Sequence, residues 1–251
     1  MRIKIFGKGE RLDVCAELLR ENRSLGKYSE IIILPIPTSG DGVYITGTDV
    51  KLSDALASFG EGSFVLGYGI PKDSVEALED RGAVVCDALG DEIFLSRNAE
   101  LTALGTLGVL LTSSKKSVSE LKVGIIGYGR IGKHLLRLLL FLGAGVKVFT
   151  RKNSTRIDLS SYGVDAEMSS EGDYSGLDFL INTAPEQILD EKKAKRALSD
   201  GRIIELASGT NFPDLSGITR LGGIPGLMYP ISSGRIYAEA AIRYEGGDGT
   251  C

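Results

Sequence analysis

The sequence has 251 residues, a hydrophobic fraction of 43% and a formal net charge of −4, which suits two compact domains of about 100–150 residues each. The negative charge gives no general attraction to nucleic acid or to an anionic membrane surface, so neither is expected as a partner. Because the longest apolar runs, such as residues 138–142, are much shorter than the roughly 20 residues that cross a bilayer, we expect a cytoplasmic protein without a membrane span.

In the first part of the chain, short apolar runs alternate with helical patterns, which is typical of parallel sheets covered by helices. The run Ile31-Ile32-Ile33-Leu34 is branched and apolar throughout, as expected for a strand that is buried on both faces. It ends at segment 35–42, whose prolines and glycines cannot continue a helix or a central strand. Further strands are predicted at residues 3–6, 63–67 and 83–86, and helices at residues 12–21 and 71–81.

A second alternating series follows a helical pattern over residues 98–113. Its strands are predicted at residues 122–126, 146–149, 179–181 and 203–206, with a helix at 190–198 and a final helix at 232–244. We therefore predict an α/β protein with two Rossmann-like domains, each built on a parallel sheet, and a cleft between them. The expected domains are a flavodoxin-like substrate domain at residues 1–97, with 232–251 packing back on it, and a dinucleotide-binding domain at 98–231.

The loop Gly127-Tyr128-Gly129-Arg130-Ile131-Gly132 lies between the predicted strand 122–126 and a helix with a broad apolar face. In such a loop Gly127 permits the tight turn, Gly129 lets the backbone approach a diphosphate, and Gly132 lets the helix pack on the strand. Backbone amides at the start of the helix, together with the helix dipole, then hold the anion. The pattern predicts a dinucleotide site, although a strand-helix turn with a purely structural role has the same glycines.

The residues at the end of the next strand favour NADP over NAD. An NAD site usually has Asp or Glu there to bind the ribose 2′-hydroxyl, whereas here Thr150 is followed by two cations, Arg151 and Lys152. Arg151 can form paired hydrogen bonds with a 2′-phosphate, which a carboxylate would repel. Two cations after a strand can also be a solvated pair. The predicted cofactor-binding residues are Gly127, Gly129, Arg130, Ile131, Gly132, Thr150, Arg151, Lys152, Thr183 and Pro185.

His134 is the only histidine, and it lies two residues after Gly132 in the helix that follows the loop. A 2-hydroxy-acid dehydrogenase needs a histidine general acid on the far side of the nicotinamide, so this position disfavours that reaction. The three cysteines Cys15, Cys86 and Cys251 match no metal-ligand spacing, and no metal site is predicted.

Several further segments carry a family resemblance. They are 33–42, Asn98 with Thr102 and Gly105-Thr106, 181–185, 205–209 and, as the most specific, Gly222-Gly223-Ile224-Pro225-Gly226-Leu227-Met228-Tyr229-Pro230-Ile231-Ser232-Ser233-Gly234. With the glycine loop, these segments resemble the dipicolinate synthase A subunit of spore-forming bacteria, a relative of the 2-hydroxy-acid dehydrogenase fold. One position differs, because this chain has Leu104 where the family usually carries Glu.

The resemblance implies NADP-dependent oxidation of a dihydrodipicolinate-type precursor to dipicolinate during sporulation, carried out with a second synthase subunit. Because the product is aromatic, such an oxidation is favourable and needs little acid-base help, and no catalytic residue is assigned. A dicarboxylate substrate needs hydrogen-bond donors, and each candidate donor can also be a cap or a turn residue. The candidates lie near predicted strand ends and helix starts: Thr38, Ser39, Asn98, Thr102, Ser208, Ser232, Ser233 and Arg235.

Two other functions are compatible with the sequence. One is a 2-hydroxy-acid dehydrogenase-like enzyme, and the other is a non-catalytic dinucleotide-binding subunit or sensor. The proline- and serine-rich segments at the domain edges favour a substrate cleft and hence an enzyme. A homo-oligomer is also compatible with the sequence.

Overall fold

The computed structural model describes residues 2–186, 188–207 and 215–247. Along the chain it divides into two units, Met1–Asn98 with Pro225–Cys251, and Ala99–Ile224. Each unit contains one sheet whose paired strands are all parallel. The predicted α/β class with two parallel sheets is confirmed.

The first sheet has four strands in the order β1-β2-β3-β4. In β2 the residues Ile31, Ile32 and Ile33 are fully buried, as is typical of parallel strands with both faces covered. The strands are β1 (Arg2–Ile5), β2 (Glu30–Ile33), β3 (Ser63–Gly67) and β4 (Val84–Asp87). The accompanying helices are α1 (Glu10–Glu21), α2 (Leu52–Leu56) and α3 (Lys72–Glu79), with short 3₁₀ turns at Arg23–Lys27 and Ala88–Gly90.

The C-terminal helix, α9 (Pro230–Glu245), belongs to the first unit and packs on α1. A Cβ atom at Gly234 would lie 2.5 Å from the carbonyl oxygen of Arg11, so only glycine allows this approach. Tyr237 is fully buried and donates a hydrogen bond of 3.0 Å to the carbonyl oxygen of Leu34, just after β2. These contacts place α9 beside the carboxyl ends of the first two strands.

Helix α4 (Glu92–Ser113) begins at Glu92 rather than at residue 98, where the sequence pattern predicted its start. The reason is the buried Asp91, whose carboxylate accepts hydrogen bonds from the amides of Ile93 and Phe94 at 2.8 and 2.9 Å. Such a cap satisfies donors in the first helical turn, and it can outweigh the weak amphipathic pattern that follows. The boundary between the two units falls within this helix, after Asn98.

The second sheet has six strands in the order β10-β9-β8-β5-β6-β7. The order reverses at β5, which pairs with β6 on one side and with β8 on the other. In an open parallel sheet this switch point opens a crevice at the carboxyl ends of the strands, where ligands bind. The strands are β5 (Lys122–Ile126), β6 (Gly145–Thr150), β7 (Asp165–Met168), β8 (Phe179–Asn182), β9 (Arg202–Glu205) and β10 (Ile218–Arg220).

Helix α5 (Arg130–Phe141) buries Leu135, Leu136 and Leu139 in the core of the second unit. A 3₁₀ turn at Val118–Glu120 precedes β5, and the other helices are α6 (Asn153–Ser161), α7 (Glu191–Asp200) and α8 (Ile224–Met228). The sequence pattern did not indicate β7, β10, α6 or α8, which are short or lie at the sheet edges and carry few buried apolar residues. None of the described helices is long and apolar enough to cross a membrane.

The chain returns to the first unit earlier than the sequence pattern suggested. The expected boundary lay after residue 231, whereas the structure places it between Ile224 and Pro225. The physical reason is Gly226, which packs directly against the guanidinium of Arg11 on α1. The segment that precedes α9 is therefore part of the first unit.

Candidate functional site

The three loop glycines lie at the switch point of the second sheet and meet three different surroundings. Gly127 has a φ of +93°, which favours glycine, and a Cβ there would lie 2.8 Å from the Oγ1 atom of Thr183. A Cβ at Gly132 would lie 2.3 Å from the carbonyl oxygen of Gly127. A Cβ at Gly129 would meet nothing within 4 Å. Packing within the protein thus accounts for two of the glycines, while the third borders open space.

The start of α5 presents backbone amides to that open space. Gly129 is the N-cap residue of α5, and it has no side chain that could accept hydrogen bonds from the first amides of the helix. Unsatisfied amides at a helix start, together with the helix dipole, attract anions. The geometry therefore fits the diphosphate of a dinucleotide.

A cavity of about 440 Å³ lies over the loop. Its walls come from the carboxyl ends of β5, β6 and β8 and from the helices that follow β5 and β6. The cavity is charged at its rim, with the cations of Lys133, Arg151 and Lys152 and the carboxylates of Asp158 and Glu186. Seven of the predicted cofactor residues line it: Gly127, Gly129, Thr150, Arg151, Lys152, Thr183 and Pro185.

The other three predicted cofactor residues, Arg130, Ile131 and Gly132, do not line the cavity. Arg130 is exposed, Ile131 packs against the core, and Gly132 is buried under the turn. Their backbone belongs to the first turn of α5, so their amides lie beside the cavity.

Arg151 forms an ion pair across the cavity rim. Its Nη1 atom lies 2.8 Å from the Oε2 atom of Glu186, and the two side chains are 61% and 48% exposed. Such exposed pairs contribute only about 0–1 kcal/mol, so a doubly charged phosphate can displace the carboxylate. Glu186 was not identified from the sequence, because its partner precedes it by 35 residues and no local pattern joins them.

The buried carboxylate of Glu205 stabilises one wall of the cavity through hydrogen bonds. Glu205 at the end of β9 accepts hydrogen bonds from the Asn182 Nδ2 atom at 3.0 and 2.9 Å and from the Ala207 amide at 2.7 Å. Asn182 in turn donates to the carbonyl oxygen of Ala184 at 3.0 Å and accepts from its amide at 3.2 Å. Thr183 then donates to the carbonyl oxygen of Ile126 at 2.9 Å. Glu205 thereby fixes the loop that carries Thr183 and Pro185.

Burial raises the pKa of Glu205 above its ordinary value of 4.5, although the hydrogen bonds from Asn182 and Ala207 act in the opposite direction. A carboxyl group with a raised pKa in the folded state stabilises the fold below its unfolded pKa and loses this contribution as the pH rises through the folded pKa. The free energy of unfolding of the unaltered chain is therefore compared with that of Glu205→Gln. We expect the difference, unaltered chain minus variant, to fall as the pH rises above 4.5. The slope is at most about 1.4 kcal/mol per pH unit.

Urea denaturation of both proteins across this pH range measures the difference. The many other carboxylates titrate in both proteins and cancel, so only the slope of the difference is informative. A difference that stays constant with pH, or that rises, contradicts a raised pKa for Glu205.

Two of the predicted substrate residues, Thr38 and Ser39, are engaged in local structure. Thr38 is fully buried, and its Oγ1 atom accepts a hydrogen bond of 2.9 Å from the Tyr68 amide. Ser39 donates to the carboxylate of Asp41 at 3.1 Å, and that carboxylate also accepts from the amide of Val43 at 2.8 Å. These contacts order the turn after β2, which is the structural role that the sequence left open for both residues.

The remaining substrate candidates are dispersed. On α4, Asn98 is half-buried and Thr102 is buried, and Ser208 lies outside the described residues. Ser232 and Arg235 are exposed near the start of α9, and Arg235 forms no ion pair within the part of the chain that the structure describes. Ser233 is buried and accepts a hydrogen bond of 2.9 Å from the Nε atom of Arg11.

The only histidine, His134, is half-buried on α5 and does not line the cavity over the glycine loop. The side chain of His134 is therefore not placed to react with a ligand in this cavity. Cys86 is fully buried in β4.

No protein-family model and no curated protein sequence matches the chain. Among solved structures, the A chain of dipicolinate synthase from Bacillus subtilis is similar with a TM-score of 0.78 and 19% identity, covering 99% of this chain and 96% of that one. The corresponding dipicolinate synthase chain from Bacillus halodurans gives a TM-score of 0.75 and 18% identity, covering 97% of each chain. D-lactate dehydrogenase from Salmonella gives 0.57 and 13%, covering 100% and 98%.

The chain therefore has the fold of the dipicolinate synthase A subunit, as its sequence motifs predicted, and shares it more distantly with a D-lactate dehydrogenase. At these identities the likeness concerns the fold. A shared fold does not determine the reaction, which depends on the residues of the site in this chain.

Proposed function

We propose that this chain is an NADP-dependent oxidoreductase subunit that oxidises a dihydrodipicolinate-type dicarboxylate to dipicolinate, together with a second subunit. The observation that supports a dinucleotide cofactor is the open space beside Gly129, which is bordered by the first amides of α5 and by Arg151 at the cavity rim. In this proposal the amides of Gly129 and Arg130 hold the diphosphate, and Arg151 with Lys152 holds the 2′-phosphate.

The residues suit an oxidation that needs little acid-base help. The reaction removes a hydride and a proton from the dihydropyridine ring, and the bound NADP supplies the hydride acceptor. Because the product ring is aromatic, alignment of the ring and binding of its carboxylates are the main tasks left to the protein. The lone His134, half-buried and away from the cavity, is consistent with such chemistry and disfavours a histidine-assisted 2-hydroxy-acid dehydrogenase.

A turnover assay tests the proposal. The chain, alone and with a second subunit of dipicolinate synthase, is mixed with NADP and freshly generated dihydrodipicolinate precursor. We expect NADPH absorbance and dipicolinate to appear in equal amounts, and Gly129→Val to remove both. NADPH formation from D-lactate instead would identify the 2-hydroxy-acid reaction. NADP binding without turnover of either substrate would identify a non-catalytic protein that only binds the dinucleotide.

A further inference from the structure

A half-buried guanidinium group, that of Arg11, lies in the first unit without an acidic partner among the described residues. Arg11 is the second residue of α1, and its Nε atom donates to the Ser233 hydroxyl at 2.9 Å. Within residues 2–186, 188–207 and 215–247 it forms no ion pair, and its Nη1 and Nη2 atoms donate no hydrogen bond. The group therefore keeps most of its donors for a partner from outside these residues.

Burial of this cation is unfavourable in the free protein. Desolvation lowers the pKa of Arg11, and the nearby Tyr237 offsets this only in part. A buried charge is normally paired or hydrogen-bonded throughout, because removing it from water is costly. A guanidinium that is held in place but incompletely paired is therefore preorganised for an anion, and its planar donor pairs match a carboxylate.

Two glycines and a serine hold the guanidinium in position. A Cβ at Gly226 would lie 2.8 Å from both the Cζ and Nη2 atoms of Arg11, so the group lies flat against this glycine. Gly234 allows α9 to approach α1 and brings Ser233 within hydrogen-bond distance. The Ser233 hydroxyl is itself oriented by a hydrogen bond of 3.2 Å to the carbonyl oxygen of Pro230. These residues belong to segment 222–234, which is thus the framework of the Arg11 site.

The site lies near the carboxyl ends of β1 and β2. Helix α1 follows the carboxyl end of β1, and Tyr237 beside Arg11 donates to Leu34 at the carboxyl end of β2. The residues after Gly226 expose large apolar side chains, those of Leu227, Met228 and Ile231.

We propose that Arg11, held by Ser233 and Gly226, is the binding site for a carboxylate of the substrate. The identity of that substrate as a cyclic dicarboxylate rests on the proposed function, whereas the carboxylate site rests on Arg11 alone. In this proposal Arg11 binds the carboxylate, and the exposed Arg235 near the start of α9, one of the candidates predicted from the sequence, does not.

Calorimetric titration with pyridine-2,6-dicarboxylate, in the absence of dinucleotide, tests the site. The unaltered chain is expected to bind this probe, and Arg11→Met should weaken binding by about 10-fold or more because a charge-assisted pair is lost. Arg11→Lys should lose less, since it keeps the charge without the planar donors. Arg20→Met, at an exposed position of the same helix α1, is the matched control and should bind as the unaltered chain does. No binding by the unaltered chain, or equal binding by Arg11→Met, overturns the proposal.

Thermal unfolding separates a ligand-binding role from a structural one. Removal of an incompletely paired, half-buried cation should leave the melting temperature of Arg11→Met unchanged or raise it. A clear fall in melting temperature with unchanged affinity for the probe shows a structural arginine and overturns the proposal.

NADPH titration of the same variants separates this inference from the proposed function. Arg11→Met should bind NADPH as the unaltered chain does, because Arg11 lies in the first unit and the glycine loop in the second. If the probe binds through Arg11 but no dinucleotide binds, the proposed function fails and the carboxylate site stands. If turnover proceeds and Arg11→Met leaves both KM and probe affinity unchanged, the carboxylate site fails alone.

Discussion

Gly129→Val is expected to abolish NADPH binding while the chain stays folded. The open space beside Gly129 is the volume that a diphosphate needs, and the valine side chain would occupy it. The φ of Gly129 is −81°, which any residue adopts, and no neighbour lies within 4 Å of the added Cβ. We therefore expect an affinity loss of about 100-fold or more, equivalent to roughly 2.7 kcal/mol, with an unchanged melting temperature.

The matched control is Gly26→Val. This glycine is exposed and also has no neighbour within 4 Å of an added Cβ, but it lies in the first unit, away from the loop. Calorimetry on Gly26→Val should give the NADPH affinity of the unaltered chain. Normal NADPH affinity in Gly129→Val would mean that the glycine loop is only a structural turn.

Arg151→Ala should weaken NADPH binding by about 10-fold or more and leave NADH binding nearly unchanged. The reason is the loss of a charge-assisted contact to the 2′-phosphate, which contributes about 1.5–3 kcal/mol and is absent from NADH. Glu186→Gln should have the opposite effect, because it frees Arg151 from its ion pair and removes a negative charge from the cavity rim. An exposed pair of this kind limits the gain in NADPH affinity to about 2- to 5-fold.

Parallel titrations of NADPH and NADH into the unaltered chain and both variants measure these effects. Lys195→Ala serves as the control, since it removes a cation of similar exposure that pairs with Glu191 on α7 and does not line the cavity. Equal losses for NADPH and NADH in Arg151→Ala would contradict a role for this residue in 2′-phosphate binding. An increase in NADH affinity in Glu186→Gln equal to that for NADPH would show a general charge effect instead.

The sequence predicts best those strands and helices whose apolar pattern is sufficient to identify them. Strand β5 spans Lys122–Ile126, the range expected from its apolar run, and β2 differs by one residue at each end. Strands β7 and β10 gave no such pattern, because they form the two edges of the second sheet and bury only one face or less. Hydrophobic pattern identifies a strand only where burial is nearly complete.

The residues of the candidate sites also fall into those that a local sequence pattern predicts and those that only tertiary packing brings together. The glycine loop and the cations after β6 are local features, because each lies where a single strand ends. Arg11 and Ser233 are 222 positions apart, and Asn182 and Glu205 are 23 apart, so only the packing of separate elements joins them. No local pattern distinguishes Arg11 from a solvated helix residue, and for this reason the candidates predicted from the sequence included Ser233 and Arg235 but not Arg11.

Equilibrium titration of the unaltered chain with NADPH and, separately, with NADH is the most direct test of the proposed cofactor site. Cofactor specificity and hydride transfer both require that the cavity between the ends of β5, β6 and β8 binds a dinucleotide. We predict saturable binding of one NADPH per chain, about 10-fold or more tighter than NADH, as expected for a charged contact to the 2′-phosphate. The absence of saturable binding by either dinucleotide would contradict a dinucleotide site in this cavity.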